Sequence, residues 1–163
     1  MKIVKNIVTF LACMCVWFYF CNLADCSQDK LPATWQPGMI LTITYGGGMR
    51  QYSSTIEIKE KNSYQEIREK DKVKRKAMDF TKSELDSLVQ FLKIKAFDKI
   101  SSIRRANIEL DMETTATSLQ WNGGMAEVSA GSGLDIAEKD KANFAAIYQY
   151  INKLLGRKGV SAD

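Results

Sequence analysis

All four cysteines of this 163-residue chain, Cys13, Cys15, Cys21 and Cys26, lie in its first 26 residues, and histidine is absent throughout. The body must therefore fold without a disulfide staple and draw its stability from a buried apolar core. After a leader and a linker are set aside, roughly 125 residues remain, enough for one such core. The missing histidine, together with the lack of a body thiol, removes Ser-His and Cys-His nucleophile pairs and the common zinc ligand sets. Carboxylates are left as the only plausible catalytic groups.

The cysteine-rich segment has the pattern of an export leader. Lys2 and Lys5 form a short positive flank, and residues 6–24 carry no charge around an apolar centre running from Ile7 to Cys21. A bilayer core takes about 20 apolar residues, so the run is long for the apolar region of a signal peptide and slightly short for a span. Leu23-Ala24-Asp25-Cys26 resembles a bacterial lipobox, which implies an acyl chain on Cys26. Asp25 departs from that pattern, which prefers a small uncharged residue there. Cleavage after Ala24 and an uncleaved anchor, with Lys2 and Lys5 held inside, stay open beside it. The expected location is the bacterial cell envelope, with the protein facing the periplasm or the cell surface.

Both prolines of the chain, Pro32 and Pro37, fall within residues 27–38. Neither helix nor central strand tolerates that spacing, so this segment reads as an extended tether on which Trp35 can dock back. Residues 39–156 read as a single globular domain and residues 157–163 as a tail. Ile40 to Tyr45 is β-branched and aromatic, Gly46-Gly47-Gly48 interrupts it, and Gln51 to Lys59 alternates Tyr52, Ser54, Ile56 and Ile58 with polar residues. That is a hairpin with a glycine loop. Ser63 to Ile67 and Val73 to Met78 follow as a second pair.

Phe80-Thr81-Lys82-Ser83-Glu84-Leu85 combines a capping box with a hydrophobic staple and starts a helix. Leu85, Leu88, Val89 and Leu92 make its buried stripe, and it ends near Lys93 to Lys95. After an irregular stretch, Asp111 to Trp121 and Met125 to Ala130 flank the turn pair Asn122-Gly123. A last helix starts near Asp140, which can cap it, and stops at Gly156. Strands, helix, hairpin, helix give an α+β fold: an antiparallel sheet of five or six strands with both helices on one face.

Three motifs invite a functional reading. The tip residues Gly46, Gly47, Gly48, Met49 and Arg50 join strands and do not open a helix, so they suit presentation to a partner or a structural turn better than phosphate binding. Lys72-Val73-Lys74-Arg75-Lys76 is a basic run with Glu66, Glu69 and Asp71 just upstream, and a lysine-protected edge strand accounts for it without nucleic acid. Anionic lipid or glycan surfaces are its second reading. Glu109, Asp111 and Glu113, two apart on a strand, aim three carboxylates at one face, as a calcium site or a carboxylate pair requires. The glycine-turn loop of calcium motifs is missing, and threonines at 114, 115 and 117 suggest a solvated face.

The glycine-tipped hairpin of residues 39–59 and the Thr-x-x-Glu-Leu-x-x-Leu-x-x-x-Leu helix of residues 81–97 resemble, in layout, the emfourin-like small bacterial protease inhibitors. They are also similar to small envelope lipoproteins. The resemblance implies a non-enzymatic protein-binding module, and no inhibitory residue is carried over from it. The expected function is a membrane-tethered binding protein of the envelope, an inhibitor or immunity protein in its concrete form. No cofactor and no nucleic acid are expected. A structural or assembly lipoprotein is the alternative, and a hydrolase using Glu109, Asp111 or Glu113 is third.

Overall fold

A computed structural model of the chain describes residues 31–47, 52–105, 113–131 and 133–160. Among the described residues the chain forms strands β1 (Ile40–Gly47), β2 (Tyr52–Ile58), β3 (Ser63–Glu69) and β4 (Lys72–Met78), then helix α1 (Lys82–Ile94). Strands β5 (Ser102–Arg104), β6 (Glu113–Trp121), β7 (Gly124–Ala130) and β8 (Leu134–Ile136) follow, and helix α2 (Lys141–Gly156) closes the order. Short 3-10 turns at Phe97–Lys99 and Glu138–Asp140 precede β5 and α2.

The main sheet is antiparallel with strand order β4-β3-β2-β1-β6-β7. Its register follows from the alternation. Leu41 pairs with Ile58 on one side and Leu119 on the other, and Ile43 pairs with Ile56 and Thr117, so one face collects the apolar set. That face meets Leu85, Leu88, Val89 and Leu92 of α1 and Ile147, Ile151, Leu154 and Leu155 of α2 in one core. Each such side chain, fully buried, is worth about 1.5–3 kcal/mol. The α+β architecture with both helices on one sheet face is therefore as expected.

α1 begins as its sequence dictates. Glu84 N–H donates to Thr81 Oγ1 at 3.2 Å, and Thr81 N–H donates back to a Glu84 carboxylate oxygen at 2.8 Å, closing the capping box. Asp140 behaves differently from expectation. It precedes α2, but its side chain makes no cap; Oδ2 accepts the backbone N–H of Ser101 at 3.0 Å, pinning the start of β5 instead. β5 and β8 form a two-stranded sheet in stretches that read as irregular, because three-residue strands show no alternation to detect. α2 ends at Gly156, as expected, with Arg157 as its C-cap.

Two boundaries move. The proline-containing segment is not a free tether over its second half: Leu31 and Trp35 are 2% and 6% exposed and belong to the core, and Trp35 N–H donates to Asp86 Oδ1 at 2.9 Å. The domain thus includes residues ahead of Met39. The tail also packs, with Val160 buried and Lys158 donating to Glu84 at 3.0 Å. Cys26, with the rest of the leader, lies outside the described residues.

Candidate functional site

Gly46 and Gly47 are strand residues rather than loop. Gly46 pairs with Ser53 and with Thr114, and Gly47 pairs with Glu113. A side chain at Gly46 would bring its Cβ to 3.0 Å from Ser53 Cβ and 3.1 Å from Tyr52 O, so β2 packs closely against the backbone there. Gly48, Met49 and Arg50 lie outside the described residues, as do Glu109 and Asp111. The Gly47–Glu113 pairing still brings the hairpin end and the acidic strand start, which the sequence presents as separate motifs, to one end of one sheet.

Two tyrosines complete this end. Tyr45 stands on β1 opposite Ser54, and Tyr52 lies diagonally across on β2 with ring centroids 6.3 Å apart at 70°, an edge-on pair. The Tyr45 hydroxyl donates to Glu113 Oε2. Both rings are half-buried, while Glu113 is exposed. Further along the same face, Thr117 Oγ1 lies 3.4 Å from the Tyr148 hydroxyl of α2, and Phe144 packs on Tyr148 at 4.9 Å. Aromatic area with polar tips thus runs from the Glu113 end of the sheet toward α2. The threonines flanking Glu113 gave no hint of Tyr45, since that contact is long-range. Alternation had nonetheless put Tyr52 on the apolar face.

Gly131 holds the strand start in place. Its φ is +98°, and a Cβ there would fall 1.9 Å from Glu113 O, so the β7–β8 connection passes directly against the backbone of Glu113. As a metal site the acidic trio has only Glu113 within view, and among the described residues no three His, Cys, Asp or Glu side chains are grouped to hold an ion.

At the opposite end of the sheet, Trp35, Pro37, Phe80 and Leu85 line a groove of about 300 Å³ edged by Lys61 and Lys82. Lys82 is engaged by Asp86 at 2.7 Å, and this contact, followed by the Trp35 N–H, holds the Asp86 carboxyl below its ordinary range.

The sheet face away from the helices carries Thr42, Thr44, Thr55, Glu57, Tyr64, Glu66, Ala116 and Ser118, and no described element covers it. Its charges are locally matched: Arg68 reaches Glu66 at 2.7 Å, Lys59 pairs with Glu57, and the Arg75 guanidinium stacks 3.6 Å over Tyr64. β4 occupies an edge of the sheet, where the basic run was expected.

No protein-family model matches the chain, and no curated protein matches it significantly. Among the described residues no helix is long and apolar enough to cross a membrane.

Proposed function

We propose that the chain is a membrane-tethered, non-enzymatic binding protein of the bacterial envelope, recognising a protein partner through the sheet end that carries Tyr45, Tyr52 and Glu113. The observation that carries this reading is the convergence of two half-buried tyrosines and an exposed carboxylate beside Gly46 and Gly47. Tyrosine supplies large contact area at low entropic cost while keeping a polar tip, and is enriched where proteins meet. An inhibitor or immunity protein against an enzyme that reaches the envelope is the concrete form. The leader, with Cys26 as its acylation site, supports the location. The sheet face that carries Thr42, Thr44, Thr55 and Ser118, which no described element covers, favours a second reading, a structural lipoprotein that docks on an envelope complex.

The test compares partner recovery by the tagged mature chain, purified from its own envelope, with that by a Tyr45→Ala/Tyr52→Ala variant. A specific protein recovered by the first and lost by the folded second is the expected result. Loss of cellular activity on Glu113→Gln with partner recovery intact would instead favour carboxylate chemistry.

A further inference from the structure

The two edges of the main sheet are finished differently. At β7, the Ser102 hydroxyl of β5 donates to Ser129 O at 2.8 Å and accepts Ser129 N–H at 2.9 Å, and Gly131 bridges to Leu134, so that edge is occupied. At β4, residues 72–77 are all exposed, Val73 to 57%, and no described residue pairs with the outer side of the strand. A strand edge offers a row of backbone donors and acceptors that another extended chain can take up.

Charge decides what that chain is. Among the described residues none of Lys72, Lys74, Arg75 or Lys76 is ion-paired with a carboxylate; Lys76 Nζ instead donates to Gly159 O at 2.6 Å and Arg75 stacks on Tyr64. Pairing β4 with a second copy of itself would set like charges opposite one another, which disfavours self-association. The same charges favour an acidic strand. The strand is two-sided: Lys74, in register with Ile67, shares the helix side of the sheet with Lys72 and Lys76, and Arg75, in register with Glu66, shares the open side with Val73 and Ala77. A planar anionic surface such as a lipid headgroup layer would meet the lysine row and leave Val73, Ala77 and the backbone edge unused, whereas an extended segment that alternates acidic and apolar side chains sets its acids against the lysines, its apolar side chains beside Val73 and Ala77, and its backbone on the edge.

We infer that β4 takes up an extended acidic segment of a partner protein as an added strand at this edge of the sheet. This surface is separate from the Tyr45–Glu113 end, and the inference stands whether or not that end binds anything.

The test uses the full mature chain and a fluorescent synthetic peptide of alternating Glu and Val, read by anisotropy and by amide chemical shifts. Saturable binding that perturbs the amides of residues 72–78 is expected. A Lys74→Glu/Arg75→Glu variant, checked for folding by circular dichroism, should bind roughly tenfold more weakly. A peptide of the same charge with backbone N-methyl groups on its pairing edge should lose binding, because it cannot complete the ladder. Equal binding of the N-methylated peptide would overturn the inference in favour of charge attraction alone. So would binding to vesicles rich in anionic lipid with none to the peptide, or no binding at all.

Discussion

Glu84 accepts Lys158 Nζ at 3.0 Å through the same carboxylate that receives Thr81 N–H at 2.8 Å, so one side chain ties the start of α1 to the C-terminal segment. These contacts, the Thr81 N–H foremost and Lys158 next, hold the Glu84 carboxyl below its ordinary value of 4.5. Removing the cap with Thr81→Ala should cost about 1 kcal/mol in chemical denaturation.

The same carboxylate makes stability depend on acid. A group whose pKa is depressed on folding contributes stability above its unfolded value and loses it as pH falls through the folded one. Wild type should therefore exceed Glu84→Gln by a constant margin above pH 4.5, and the margin should shrink below it. Denaturation curves across that window check the sign; a margin that grows on acidification would show that Glu84 is not held in this way.

Leu88 is fully buried on α1 against the sheet. Leu88→Ala should lose about 2–5 kcal/mol, read as a shift in denaturant midpoint at unchanged slope.

Because Leu31 and Trp35 are core residues, a chain beginning at Met39 should be less stable than one beginning at Leu31. Trp35→Ala in the longer chain should account for much of the difference, about 3–5 kcal/mol. Equal melting curves for the two chains would show that the docked segment adds nothing.

Mass spectrometry of the mature protein should find lipid on Cys26, as the Leu23-Ala24-Asp25-Cys26 pattern implies. An N-terminus at Asp25, or an intact leader, would rule acylation out.

What the sequence made legible follows from the range of the interactions involved. The capping box at Thr81 and Glu84 spans one helical turn, and the alternation around Ile56 and Ile58 is set within one strand, so both could be read directly. β5 and β8 could not, since neither is long enough to show a period. Trp35 and Val160 are buried by elements distant in sequence, and nothing local separates a docked residue from a free one. The candidate site is of that second kind. Gly46, Gly47 and Glu113 were each visible as residues of interest, but only the pairing of β1 with β6 puts them side by side.

That pairing also bears on how the protein reaches its native state. β1 to β4 form a run of sequential hairpins, each closed by a short connection, and β6 and β7 form another, so both can nucleate locally. The join between them, Ile43 to Thr117 and its neighbours, spans α1 and β5 and carries the larger loop-closure cost. The β1–β6 seam is therefore expected to form after the hairpins. Substitutions there, Ile43→Val for example, should mainly quicken unfolding, while equivalent changes within the hairpins that nucleate should slow refolding.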